Sequence, residues 1–248
     1  MSQAATLRSL HVPGSPVVLP NVWDAASADL VAAAGFPAIA TSSGAVGASL
    51  GPGDGERMTA DEALAVVARV ASAVSVPVTA DLEAGYGLEP ADLAERLLAA
   101  GAVGCNLEDT ERPSGVLGPS ETSAARIAAV RAVAGDAIVI NARADSFARG
   151  NPDARHDAIE RGRRYLDAGA DCIYPITASH EGDIAALVEA LGVININLGP
   201  RSPSLARLAE LGVARVSLAS GLFQYVTRQV GAVVQALRDG DDSAFREG

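Results

Sequence analysis

The chain contains no lysine: all 19 basic residues are arginine. Without an ε-amino group there is no Schiff-base chemistry, so class I aldolase and pyridoxal phosphate mechanisms are excluded. A lysine phosphate-binding loop is excluded as well. Aromatic residues make up only 4% of the chain, so a core must come from Ala, Val, Leu and Ile. The two cysteines, Cys105 and Cys172, lie far apart in apolar segments and read as buried thiols. No Cys/His spacing suits a zinc site. No apolar run approaches the roughly 18 residues of a membrane span. The first residues, MSQAATLRSLHVPG, lack the basic start and apolar stretch of a secretion signal, so a cytoplasmic location is expected. The formal net charge of −11 argues against nucleic acid and anionic membranes as partners. An anionic small substrate would need a local cation.

What the chain does have is alternation. Short β-rich runs at 16–20, 37–41, 76–81, 103–108, 137–143, 171–176, 193–197 and 213–218 are separated by helical patterns. Helices are expected over 60–74, 90–100, 121–134, 153–168, 180–191 and 202–211, with a last one over about 220–238. Gly101, Gly169 and Gly212 stand where a glycine ends a helix before the next strand. Eight such units in 248 residues predict a single (β/α)8 TIM barrel. The barrel is expected over about 16–238 of one domain, 1–248, with a polar tail at 239–248. An open doubly wound sheet is disfavoured because no GxGxxG follows the first strand.

A barrel of this type carries its chemistry at the C-terminal ends of the strands. The third run, VPVTADLEAGYG, drives straight into Asp81 and Glu83, which share a side if the strand stays extended. The fourth ends in Asn106, Glu108 and Asp109, and the fifth in Asn141 and Arg143. A glycine-rich loop, 44–57, follows the second run and contains Asp54. Acids in excess over one guanidinium, all oxygen donors, suit a hard dication: Mg²⁺, or Mn²⁺. Asp81 and Glu83 are then expected to hold a hydrated ion. Arg143 would take the acid end of a substrate with its planar fork. A 2-oxo acid, with adjacent carbonyl and carboxylate, fits both. Ser42, Ser43 and Gly44 could offer donors to an anion. Tyr86 is a candidate acid or water-orienting group, Trp23 a candidate wall of the substrate site, and Asn195 a group reaching the pocket from across the mouth.

The segments LPNVWDAASADLVAAAGFPAIATSSG, GDGE, ADLEAGYG, NLED and NARAD, in that order, resemble the isocitrate lyase/phosphoenolpyruvate mutase superfamily over about residues 8–230. The likeness is to its small phosphonomutase-like, or carboxyvinyl-carboxyphosphonate phosphorylmutase-like, members. It implies a magnesium-dependent barrel acting on 2-oxo acids and their enol relatives. Asp81 then matches the direct metal ligand, and Glu83 the second acid of that motif. Glu108 and Asp54 match acids that act through metal-bound waters, and Glu108 belongs with the catalytic set. Arg143 matches the substrate-binding arginine, and Ser42–Gly44 the segment at the substrate's carboxylate. The likeness also implies a last helix swapped between subunits of a homodimer or homotetramer. One departure is plain. Lyases of the superfamily carry a Lys-x-Cys-Gly-His segment after the fourth strand; here that loop, DTERPSGVLGPSETSAAR, has no Cys, Lys or His. The expected function is a lyase-type reaction, C–C cleavage or decarboxylation through an enolate. The alternatives are a phosphonomutase or phosphonopyruvate hydrolase acting on a P–C bond, and a non-catalytic barrel that binds a 2-oxo acid.

Overall fold

The computed structural model describes residues 1–112 and 114–246. Nine strand segments, all parallel, form the ring: β1 (Val17–Leu19), β2 (Asn21–Val22), β3 (Ile39–Thr41), β4 (Val78–Asp81), β5 (Gly104–Glu108), β6 (Val139–Ala144), β7 (Cys172–Pro175), β8 (Asn195–Asn197) and β9 (Arg215–Ser217). β1 and β2 are two pieces of one barrel strand, divided at Pro20, whose nitrogen has no hydrogen to give a ladder. The first piece pairs with β9 (Val17↔Arg215) and the second with β3 (Asn21↔Ala40). The ladder runs on through β4, β5, β6 and β7, and β8 pairs with β9. A single bridge, Ile173↔Ile194, closes the gap between β7 and β8. The eight expected strands thus form a closed parallel barrel.

Among the described residues, ten α-helices surround or cap it: α1 (Gln3–Ser9), α2 (Ala25–Ala33), α3 (Ser43–Leu50), α4 (Ala60–Ala73), α5 (Pro90–Ala99), α6 (Ser120–Ala134), α7 (Ala154–Asp167), α8 (Glu181–Leu191), α9 (Leu205–Glu210) and α10 (Gly221–Arg238). Leu7 of α1 is fully buried and packs with Val17, Leu19, Ala40 and Val139, so α1 plugs one end of the barrel. The main core lies between the strands and the helix ring, and is mostly aliphatic, as the shortage of aromatics requires. Capping boxes start α2 (Asp24 with Ser27) and α4 (Thr59 with Glu62), which fixes where the chain leaves the mouth.

One expectation changes. The stretch 44–57 is not all loop: α3 occupies Ser43–Leu50, with Ser42 capping it by accepting from the Ala45 N–H. Its two glycines hide it from a propensity reading. Gly47 is needed because a side chain there would strike the backbone of Gly53, where the chain folds back. No residue of α10 is fully buried against the rest of its own chain. Among the described residues no helix is long and apolar enough to cross a membrane.

Candidate active site

Asp81 is the last residue of β4 and stands at the mouth. Its N–H donates to Thr41 Oγ1 at 3.0 Å. Its Oδ2 accepts from the Ser43 N–H at 3.1 Å and is 2.9 Å from the Ser43 hydroxyl. That hydroxyl is also 3.2 Å from Asp54 Oδ1, so Ser43 holds two carboxylates together at the start of α3. On the other side Asn106 Nδ2 lies 3.4 Å from Asp81 Oδ1. The Asn106 amide is oriented in turn by donors to its Oδ1, Asn141 at 2.7 Å and Arg215 at 3.4 Å. Gly44 completes the wall: a Cβ there would lie 2.7 Å from Ser220 Oγ and 3.4 Å from the Asp54 carboxylate. Asp81, Ser43, Asp54, Asn106, Gly44 and Ser220 line a cavity of about 110 Å³, together with Arg143, Tyr174 and Ser217.

Glu83 does not continue the strand. It has φ +48°, in the left-handed region, so it does not share a side with Asp81. Its carboxylate accepts from the Glu56 N–H at 2.7 Å and the Tyr86 hydroxyl at 3.2 Å, and faces Arg112 at 3.4 Å. Glu108 sits between two arginines. Arg112 Nη2 donates to its Oε1 at 2.6 Å. Arg143 Nη1 is 2.6 Å from its Oε2, a close charge contact without hydrogen-bond alignment. Arg143 also donates through Nε and Nη2 to Asp145, at 2.6 and 3.2 Å, which locks its plane. Burial, with Asp54, Glu108 and Asp81 nearby, pushes the Glu83 carboxyl up to about 7. Burial does the same to Glu108, against the pull of Arg143. The acids exceed what the guanidiniums neutralise. Among the described residues, no three His, Cys, Asp or Glu side chains form a ready-made metal cage.

The structure therefore brings Asp81, Asp54, Arg143, Ser42, Ser43 and Gly44 to one cavity, with Glu83 and Glu108 behind it. Three expected groups stand elsewhere. Tyr86 does not line the cavity; its phenol, raised far above its usual value by burial and by Glu83, is committed to that carboxylate. Trp23 packs edge-on against Phe223, with ring centres 5.1 Å apart, in a groove between α2 and α10. Asn195 is fully buried inside the barrel and exchanges hydrogen bonds with Ser217 at 3.2 Å. Ser217 on β9, two residues beyond Arg215, the ladder partner of Asn195, lines the cavity in its place. Sequence reasoning missed Arg112, Asp145 and Tyr174. Arg112 had a signal, as the cation of a loop otherwise short of chemistry. Every non-glycine residue described with positive φ lies beyond a strand end on this face: Glu56, Glu83, Tyr86, Thr177 and Ala219. Such backbone is tolerated where a site over-determines it.

A closed parallel barrel with carboxylates and an arginine at its C-terminal mouth defines a class of enzyme scaffold, and the comparisons with known proteins give the family. Residues 7–238 match the family model for phosphoenolpyruvate phosphomutase, so the chain belongs to that family, within the PEP mutase/isocitrate lyase superfamily. An uncharacterized protein of Mycobacterium tuberculosis is 33% identical over 95% of this chain and 90% of its own length. The 2-methylisocitrate lyase of Escherichia coli is 31% identical over 82% of this chain and 72% of its own. A crystal structure of a candidate phosphonomutase from Burkholderia cenocepacia superposes with a TM-score of 0.88 at 39% identity, covering 94% of this chain and 97% of that one. The relatives with a named activity are enzymes, and they include both lyases and mutases.

Proposed function

We propose that this protein is a Mg²⁺-dependent lyase-type enzyme, with Mn²⁺ as an alternative metal, that acts on a small 2-oxo acid or dicarboxylate by C–C cleavage or decarboxylation. The observation that carries this reading is the pairing of Asp81, braced by Ser43 beside Asp54, with Arg143 across the same small cavity. The donor set suits the ion. It is all oxygen, and about 110 Å³ holds roughly three or four waters beside one or two carboxylates, which is how Mg²⁺ prefers to bind. Asp81 and Asp54 would hold it, with Glu83 and Glu108 reaching its water shell. When bound, the ion supplies Lewis-acid polarisation of the substrate's 2-oxo oxygen. Everything else falls to the chain. Arg143, fixed by Asp145, offers its remaining face to the substrate carboxylate. Ser43 and Asn106 hold the Asp81 carboxylate in one orientation, which lowers the cost of assembling the site. The exposed stripe of α10 supports a homodimer or homotetramer.

The phosphonomutase or phosphonopyruvate hydrolase reading keeps its place through the 39% identity to the Burkholderia protein. One assay separates the two. Purified protein with MgCl₂ is given oxaloacetate, 2-methylisocitrate and phosphonopyruvate, and pyruvate release is followed, with Asp81→Ala as control. Metal-dependent release from either of the first two, lost in Asp81→Ala, supports the lyase. Release of pyruvate, or formation of phosphoenolpyruvate followed by phosphorus NMR, from phosphonopyruvate alone moves the assignment to the P–C bond. Calorimetric binding of 2-oxo acids with no turnover supports a non-catalytic barrel.

A further inference from the structure

The loop after β5 has no cysteine, lysine or histidine, and the tyrosine that follows the Asp81 motif is tied to Glu83. An enolate reaction still needs a proton for carbon. The hydroxyls that line the cavity can be sorted by what already holds them. Ser42 and Ser220 bond each other at 3.0 Å. Ser43 serves Asp81 and Asp54. Ser217 is committed to Asn195. Tyr174 is different: its side chain is 3% exposed, it lines the cavity, and its hydroxyl, beside Ser217, makes no well-aligned hydrogen bond. Buried phenols normally find one, and an orphan costs about 1–3 kcal/mol. It stands on β7 in register with Arg143 on β6, so the phenol and the substrate-facing guanidinium are neighbours across one ladder.

We propose that Tyr174 is the proton donor of this site, the group that delivers hydrogen to the carbon left by bond cleavage. The inference rests on the lyase reading. In the step, written for oxaloacetate, the C3–C4 bond breaks, CO₂ departs, and the electron pair passes to C3 of the remaining three-carbon acid as an enolate. The Tyr174 O–H bond then breaks toward that carbon, a C–H bond forms, and pyruvate results. The phenolate takes its proton back from water. Burial pushes the phenol up to about 12, so it carries its proton at neutral pH, and the Arg143 charge beside it favours the transient phenolate.

Tyr174→Phe tests this, because it removes one oxygen and keeps the ring. Removing a hydroxyl with no well-aligned partner leaves the melting temperature unchanged or higher. The partial reaction is exchange of pyruvate methyl protons in D₂O with MgCl₂, followed by proton NMR. The wild type is expected to exchange. Tyr174→Phe is expected to lose at least about a hundredfold of that rate and of kcat for pyruvate release. Its calorimetric affinity for oxalate should stay within about twofold. Exchange and turnover at the wild-type rate in Tyr174→Phe would overturn the assignment. A wild type that neither exchanges nor turns over, yet binds oxalate, would instead remove the lyase reading on which it stands, and the two failures are told apart by which protein is silent.

Discussion

Arg112 Nη2 lies 2.6 Å from Glu108 Oε1, and Arg112 also reaches Glu83 Oε2 at 3.4 Å. A loop arginine thus provides the counter-charge for two buried carboxylates that the proposed Mg²⁺ would also draw on. Two cations that neutralise the same acids oppose each other. Removing the guanidinium in Arg112→Gln is expected to tighten Mn²⁺ binding by about tenfold, since a unit charge a few ångströms away at intermediate dielectric is worth more than 1 kcal/mol. Calorimetric titration with MnCl₂ gives the answer. Unchanged or weaker binding would mean that Glu83 and Glu108 take no part in the metal's environment.

Gly44 makes a separate prediction. The missing Cβ is what leaves room between Ser220 Oγ and the Asp54 carboxylate. Gly44 is in α3, so alanine suits the backbone there and the loss falls on the cavity. Gly44→Ala is expected to keep the melting temperature within a few degrees while kcat/KM falls about tenfold or more. An alanine variant with full activity would show that the Ser42–Ser220 side of the cavity is not used.

The architecture was legible in the sequence because barrel strands and helices have different periods, and several helices end at a glycine. Asp81, Asp54, Arg143 and Ser43 were legible because they stand at strand ends or on the loop after them, where a parallel barrel gathers its chemistry. Glu83 was misplaced because alternation assumes an extended chain, and its φ of +48° breaks that assumption. Tyr174 was passed over because one apolar-looking strand residue resembles another until its neighbours' hydrogen bonds are known. Arg215 is the strongest case. It is fully buried in the barrel, with Nε and Nη1 lacking partners, and nothing in a pattern of residues announces a buried arginine.

His11 sets an acid limit on stability. Burial and the Arg215 charge hold its imidazole down, at about 4, with Nδ1 bonded to Leu7 O at 2.8 Å. The unfolded chain takes up this proton near pH 6.5, the ordinary value. Between about 6.5 and 4 the unfolded state therefore binds more protons than the folded one. The contribution is fully present above pH 6.5 and is lost as pH falls toward 4, by no more than about 3 kcal/mol. Glu83 and Glu108, raised to about 7, slope the opposite way, so the wild-type curve alone does not isolate His11. Urea unfolding of wild type and His11→Gln from pH 4 to 7.5 does. The variant is expected to be less sensitive to acid; parallel curves would refute the assignment.

The last helix predicts self-association. Along α10, Val226, Val230, Val234 and Leu237 recur at helical spacing, and Val230 and Val234 are 56% and 59% exposed. Tyr225 and, from α2, Leu30 extend the same apolar surface. Between the two helices lies an apolar groove of about 510 Å³, reaching Trp23 and Phe36. An 18-residue helix with no buried residue is held by little of its own chain. A stripe this long is unusual on a monomer, where apolar patches rarely exceed a few hundred Å². A second copy offering the same stripe would cover it by two-fold symmetry, the commonest way for a chain to bury such a surface. Sedimentation velocity at micromolar concentration is expected to show a dimer or tetramer. Val230→Asp combined with Val234→Asp should shift it toward monomer and leave the barrel's far-ultraviolet circular dichroism intact, since neither residue touches the core. A monomeric wild type would show that α10 is satisfied as it stands. A double variant that stays assembled would place the interface elsewhere on the barrel.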